Sequence, residues 1–342
     1  MENTLALLRA DAGTAAWLTT LESDDSPGVE IVLPDAGTLL DLAVPHQDLN
    51  EILATGRKLR ADPELWWLLE RCAARLARGI GTVDDTFDLP YLPAELGAPG
   101  RYFHVYVFAA VLPLVLAYHQ ARGVPADISR RTFADLGRNI ALHRRRHGVG
   151  GVLQPFWIKL HFRGELYHLG RLQFQRTLLD ERLGRAVAAD LPLDPAASAL
   201  NPPPAPDLPL GPGSPTLNLH IPDFYGPLTR EACDDSLTQA RAFFPRHFPE
   251  ETYALATCSS WLLDPQLADH LPAHSNIVDF QQRFHLAHPV DHQNDQAPIQ
   301  FVFGDPDLPL ESLSPASSLE HAVVEHLKAG GHWHIGHGWF PL

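Results

Sequence analysis

The chain contains 342 residues, of which 45% are hydrophobic, and its formal net charge is -15. This length suffices for two domains, and the composition is that of an ordinary globular protein. The negative charge argues against a general nucleic-acid-binding protein, because such a protein needs a basic surface to displace counterions from phosphates.

Apolar residues at helical spacing predict a helical first half, which we take as a domain over residues 1–150. The apolar run from Tyr102 to Tyr118 carries His104 and Pro113 and is shorter than the roughly 20 residues that span a bilayer. It therefore predicts a buried helix bent near Pro113, and no membrane span. Gly148 follows a run of arginines and is expected to cap the last of these helices. The other predicted helices cover residues 5–21, 49–60, 63–77 and 129–147.

The pattern of the second half predicts a mixed sheet with helices, over residues 151–342. A hairpin is expected at residues 163–165, between strands at 157–162 and 166–176. The proline-rich stretch 191–215 predicts a semi-rigid surface insertion. Further strands are predicted at residues 216–221, 298–303 and 332–339 and at Tyr253, and helices at residues 229–244, 275–284 and 318–330. The predicted fold class is α/β (α+β).

Residues 253–267 predict a strand that stops at small hydroxylated residues and turns into a helix at Asp264 and Pro265. Such a turn leaves backbone N–H groups free to bind a phosphate or an oxyanion. Ser259 and Ser260 add hydroxyl groups at the same place, and Ser260 is a candidate to polarise a carbonyl. The alternative is an ordinary N-capping turn with Trp261 packed into the core.

Four sequence blocks carry a family resemblance: residues 161–174 (HFRGELYHLGRLQF), 219–222 (LHIP) with 226–228 (GPL), 258–267 (CSSWLLDPQL) and 275–284 (SNIVDFQQRF). Together with the helical first half, they resemble actinobacterial acyltransferase-domain proteins, which join a helical N-terminal domain to a GCN5-related N-acetyltransferase-like (GNAT-like) domain. The resemblance implies an N-acyltransferase that moves an acyl group from a thioester, acyl-CoA, to an amine by direct attack. The implied partners are a small-molecule donor and an amine acceptor.

In the parent superfamily, the phosphate loop has the form (Gln/Arg)-x-x-Gly-x-(Gly/Ala) and joins a strand to the following helix. The literal match here, at residues 145–150, follows a helix and precedes a strand, so we interpret it as a helix cap. The predicted cofactor-binding residues are instead Ser259, Ser260, Trp261, Arg171 and Gln173.

Arg171 and Gln173 share one face of a strand with Gln175, because strand side chains alternate. A polar face on a half-buried strand predicts either a lined cleft or a solvated outer face. His220, at the end of a neighbouring strand, is the candidate general base, since imidazole titrates near neutrality.

Cys258 is a candidate acyl-accepting nucleophile, because a helix N-terminus lowers the pKa of a thiol. The alternative for Cys258 is a buried side chain that closes a strand. Three cysteines (Cys72, Cys233 and Cys258) without metal-type spacing predict a reducing cytoplasm. No basic region marks a signal peptide at the N-terminus.

The tail contains His332, His334 and His337, which lie in a pattern that also fits an edge strand with a polar face. Metal sites usually add carboxylate or cysteine ligands from elsewhere. No metal is therefore expected. Two further hypotheses stay open at this point: a non-catalytic GNAT-like module that binds a small molecule or peptide, and a cysteine-dependent transferase or hydrolase.

Overall fold

The computed structural model describes residues 4–342 except for 84–85, 182, 185–186, 188–209 and 287–291. The chain divides into two compact units, Met1–Tyr167 and His168–Leu342. Most of the predicted proline-rich insertion, residues 191–209, lies outside the described residues.

The first unit is helical, as its sequence pattern predicts. Its helices are α1 (Thr4–Ala10), α2 (Ala12–Glu22), α3 (Ala36–Asp41), α4 (His46–Ala61), α5 (Pro63–Arg78), α6 (Ala98–Ala121), α7 (Ala126–Phe133), α8 (Asp135–His147) and α9 (Pro155–Phe162). Two of the predicted helices are each broken into a pair. At the first break, the Asp11 carboxylate accepts the Thr14 N–H at 2.9 Å and starts α2 as an N-cap.

Helix α6 is the central element of this unit's core. It carries Pro113 and buries most of its side chains, and the Phe108 ring stacks on Phe162 of α9 at 4.8 Å. By length and composition alone, α6 also qualifies as a membrane-spanning helix, although 67% of the relevant window is buried inside the protein. A core helix passes the same test, so this is weak support for a span.

The prediction of a strand at residues 157–162 is wrong. These residues belong to α9, which starts with Pro155 in its first turn and buries Ile158 and Phe162 at helical spacing. The turn at Gly164, with φ of 69°, therefore connects a helix to a strand and is not a hairpin. The predicted strand at residues 298–303 is likewise a helix. Short apolar runs cannot separate the two states by periodicity alone.

The second unit contains a mixed sheet. The strands are β1 (Leu166–Leu169), β2 (Leu172–Leu178), β3 (Pro215–His220), β4 (Leu255–Ser260), β5 (His285–Leu286), β6 (His292–Gln293) and β7 (His334–Pro341). Their order is β1-β2-β3-β4-β7-β5, and β6 pairs with β7. The helices are α10 (Arg230–His247), α11 (Leu267–His270), α12 (Asn276–Gln281), α13 (Gln296–Phe303) and α14 (Ser318–Lys328).

One pair of neighbouring strands, β3 and β4, is parallel, whereas β2 with β3 and β4 with β7 are antiparallel. Helix α10 makes the crossover between the parallel strands, as parallel pairing requires. The carboxyl ends of β3 and β4 therefore lie at the same edge of the sheet. In open α/β sheets, ligands bind at such an edge.

The close packing of α8 against the segment after α3 can be tested at Gly137. Its N–H donates to the Leu42 carbonyl at 3.1 Å, and a Cβ at this position would lie far inside van der Waals contact with the Ala43 carbonyl. We expect Gly137→Ala to lower the free energy of unfolding by about 3 kcal/mol, the upper part of the usual range for overpacking. Urea unfolding measures this loss. Gly28→Ala is the matched control, because no atom lies within 4 Å of the added Cβ there; an equal loss in both variants would contradict the argument.

Candidate active site on the sheet

Polar side chains from four neighbouring strands lie on one face of the sheet. The register places Gln173 opposite His220, Gln175 opposite Asn218, and Asn218 beside Thr257. Residues that are paired across strands share a face, and so do alternate residues along a strand. We call this set the polar face: Gln173, Gln175, Asn218, His220, Thr257, Ser259, His337 and Trp339.

Hydrogen bonds connect neighbouring strands across the polar face. His220 Nε2–H donates to Gln175 Oε1 at 2.9 Å, because an amide oxygen can only accept. Thr257 Oγ1 donates to Asn218 Oδ1 at 3.4 Å. Ser259 Oγ lies 2.8 Å from His337 Nδ1. The polar face that the sequence predicts at Gln173 and Gln175 thus continues onto β3, β4 and β7 in the structure.

The parallel ladder between β3 and β4 is short. It pairs Leu217 with Ala256 and Asn218 with Thr257, and does not reach His220 or Ser259 within these described strands. Those two residues each lie two positions beyond the last pair, on adjacent strands and on the same face. An extended ligand with amide groups can use strand edges of this kind by strand addition.

Several buried donors have no hydrogen-bond partner among the described residues. They include Gln173 Nε2 and Trp339 Nε1 on the polar face and Arg171 Nη1 in the turn before β2. An unpaired buried donor costs about 1–3 kcal/mol, so donors of this kind often gain a hydrogen bond when a ligand binds. Burial lowers the pKa of the Arg171 guanidinium, whose Nε donates to the Gly226 carbonyl at 2.9 Å.

The loop after β4 forms an N-capping turn with Trp261 packed into the core, which was the alternative interpretation of its sequence. Ser260 Oγ accepts the Leu262 N–H at 3.1 Å and caps a short 3₁₀ turn, Trp261–Leu263. Trp261 packs in a core cluster with Leu267 and Trp333. The N–H groups of Asp264 and Leu267 bond to carbonyl oxygens of the same loop. The N–H groups of Leu262, Asp264, Gln266 and Leu267 therefore have partners within the loop, so the expectation of free amides is wrong for this part of it.

Cys258 does not meet the expectation of an activated nucleophile. It lies on the opposite face of β4 from Ser259 and is 1% exposed. Burial raises the pKa of its thiol to about 12, the reverse of the lowering expected at a helix N-terminus. The structure therefore favours the other interpretation, a buried side chain that closes a strand.

The sequence analysis assigned no role to the loop between β3 and α10, residues 221–229. It connects a parallel strand to the helix that follows it. The phosphate loop of the parent superfamily has this strand-to-helix order, whereas residues 145–150 do not. Gly226 has φ of 77° and no atom within 4 Å of an added Cβ. Thr229 caps α10, whose first-turn amides have no partner within the helix itself. The block Gly226-Pro227-Leu228 was part of the resemblance and is the signal that pointed here.

The tail histidines separate in the structure. His332 pairs with Asp295 at 2.8 Å, His334 lies 3.5 Å from Asp264, and His337 contacts Ser259. Among the described residues, no group of three or more His, Cys, Asp or Glu side chains is arranged to hold a metal ion. At residues 145–150, Gly148 adopts φ of 72° and caps α8, as predicted.

Comparison with known proteins identifies the family. Residues 166–340 match the GNAT-like C-terminal domain, and residues 35–164 match the N-acyltransferase N-terminal domain. The chain belongs to the GNAT-like N-acyltransferases. No match is found among curated proteins.

Solved structures of acyltransferases are similar to this one over nearly the whole chain. One, in complex with decanoyl-CoA, is 39% identical and covers 98% of each chain with a TM-score of 0.83. A mutant in complex with octanoyl-CoA is 38% identical and covers 99% of this chain and 100% of its own, with a TM-score of 0.84. A complex with decanoyl-CoA and teicoplanin is 39% identical and covers 98% of each chain, with a TM-score of 0.82.

The family confirms the predicted fold class, the resemblance and the N-acyltransferase activity, so the protein is an enzyme and not a non-catalytic binding module. The roles of the individual site residues stay predictions. The structure brings His220, Ser259 and Gln173 to one face, whereas Cys258 and Ser260 lie on the other. The cytoplasmic location inferred from the cysteines also stays a prediction.

We expect Cys258→Ala to keep acyl transfer within about twofold of the wild type, because a buried thiol with this pKa has almost no reactive thiolate at neutral pH. Turnover with decanoyl-CoA, together with urea unfolding, provides the measurement. Ser236→Ala, which removes another buried small polar group, serves as a comparison for stability effects. A large loss of kcat in Cys258→Ala at unchanged stability would restore the cysteine-dependent mechanism.

Proposed function

We propose that this acyltransferase acylates an amine of a teicoplanin-type acceptor with a medium-length acyl chain. The acyl donor is acyl-CoA. The similar structures that contain decanoyl-CoA, octanoyl-CoA and teicoplanin support this choice of chain length and acceptor. The observation that carries the proposal is the edge of the sheet where β3 and β4 end in His220 and Ser259.

The donor fits this edge by the chemistry of its parts. The pantetheine arm of CoA is an extended chain with amide groups, which strand edges beyond Asn218 and Thr257 can bind as they would another strand. The pyrophosphate fits the N-terminus of α10, because first-turn amides and the helix dipole favour anions. Arg171, whose Nε donates a hydrogen bond to the Gly226 carbonyl, adds a cationic side chain beside this loop. Arg171 and Gln173 thus stay candidate donor-binding residues.

The reaction needs a base for the attacking amine. His220 Nε2–H donates to Gln175 Oε1, an arrangement that makes Nδ1 the basic nitrogen. The amine nitrogen attacks the thioester carbonyl carbon, His220 takes the amine proton, and the C–S bond breaks to give an amide and CoA. Gln175 is thereby a residue that fixes the orientation of the base.

Thermal unfolding with added ligand tests donor binding. We expect decanoyl-CoA and octanoyl-CoA to raise the Tm, since a ligand of the native state stabilises it by about 2.7 kcal/mol at a hundred times its Kd. Free decanoate at the same concentration is the control for binding of the acyl chain alone. Equal Tm values with and without acyl-CoA at about millimolar concentration would contradict the proposal.

His220→Gln tests the base. Loss of general-base catalysis costs about 100-fold or more, so we expect kcat to fall by at least this factor while the Tm shift with decanoyl-CoA is retained. His321→Gln, on the exposed face of α14, is the matched control. A variant that binds donor and turns over at the wild-type rate would remove His220 from the mechanism.

A further inference from the structure

Ser259 and His337 form a hydrogen-bonded pair on the same face of the sheet as His220. Ser259 is an exposed hydroxyl near the end of β4, and its Oγ lies 2.8 Å from the Nδ1 of His337 on β7. The two residues are directly opposite each other in the β4–β7 ladder. His220 lies on the same face, one strand away on the other side of Ser259.

The His220 imidazole and the Ser259 hydroxyl, a base and a hydrogen-bond donor, therefore lie on adjacent strands. The β3–β4 ladder ends at Asn218 and Thr257, so the main chains at His220 and Ser259 are not paired with each other in this ladder. In the proposed function, a thioester that binds between these strand ends has the attacking amine on the side of His220. The departing sulfur then faces β4 and Ser259.

We propose that the Ser259 hydroxyl donates a hydrogen bond to the sulfur of the departing thiolate and that His337 is the residue that positions this hydroxyl. This inference rests on the proposed function. His337 Nδ1–H donates to Ser259 Oγ, which turns the serine O–H outward toward the sulfur. As the C–S bond breaks, its electron pair goes to sulfur, and the hydrogen bond from Ser259 stabilises the negative charge that develops there. CoA leaves as the thiolate and equilibrates with the protons of the solvent, and the amine proton leaves through His220.

The pairing also allows a different chemistry, in which His337 takes the serine proton and Ser259 attacks the thioester. That route makes an acyl-serine, whereas direct transfer to the amine does not. Incubation of the enzyme with decanoyl-CoA in the absence of acceptor, followed by mass measurement of the intact protein, distinguishes the two. A decanoyl group on Ser259 would overturn the proposal, and an unmodified chain is the expected result.

The pKa of the CoA thiol in its complex with the enzyme is the decisive measurement. A hydroxyl donor to the thiolate favours its charged form, so the bound thiol should titrate about one pH unit below the thiol of free CoA. The protein's thiols do not interfere, because burial raises the pKa of Cys233 to about 11 and of Cys258 to about 12 and raises that of Cys72 as well. Ultraviolet absorbance of the thiolate, corrected with enzyme alone, follows the titration.

In Ser259→Ala, we expect the bound thiol pKa to return to that of free CoA and kcat to fall by about 100-fold, with little change in the KM for decanoyl-CoA. His337→Phe should have the same effect, and the double variant should lose no more than either one. His337→Asn retains a donor near the Nδ1 position and should recover part of the rate. His321→Phe is the surface control.

Two results would overturn this inference while the proposed function stands: an unchanged thiol pKa in Ser259→Ala, or additive losses in the double variant. If the wild-type enzyme binds neither CoA nor decanoyl-CoA, the proposed function itself fails.

Discussion

The parallel pairing of β3 with β4 is the constraint on which the proposed site depends. Parallel strands require a crossover, here α10, and they bring two carboxyl ends to the same edge of the sheet. At that edge His220 and Ser259 lie on adjacent strands and on the same face, each two positions beyond the pair of Asn218 with Thr257. In the sequence, 39 positions separate Asn218 from Thr257. An antiparallel pair would place these two ends at opposite edges, and the base and the hydroxyl donor could not then flank one thioester.

The alternation of side chains along β4 divides this strand's chemistry between the two faces of the sheet. Thr257 and Ser259 meet polar partners on β3 and β7, whereas Cys258 is buried on the other side and Ser260 caps the following turn. A shift of one residue in register would exchange these roles. The contrast between Ser259 and Ser260 therefore depends on strand register, since the two side chains are chemically identical.

The sequence predicted the helical first unit, the mixed sheet and the acyltransferase family, because long amphipathic helices and the four sequence blocks are local signals. It failed where a short apolar run, such as residues 157–162, fits either periodicity. It also predicted free amides in the turn after β4, because local spacing does not reveal that Ser260, Asp264 and the loop carbonyls accept the N–H groups of residues 262, 264, 266 and 267. The contact of His337 with Ser259 spans 78 positions and follows only from the order of strands.

The burial of the cysteines affects whether the enzyme reacts with oxidised forms of its own product, CoA. Each turnover releases CoA, a thiol that readily oxidises to a disulfide and then exchanges with exposed protein thiolates. Cys72, Cys233 and Cys258 are all buried, and burial raises the pKa of each thiol. The thiolate needed for attack is therefore scarce and shielded. The enzyme should resist CoA-thiolation during redox stress, without a dedicated reductant to regenerate it.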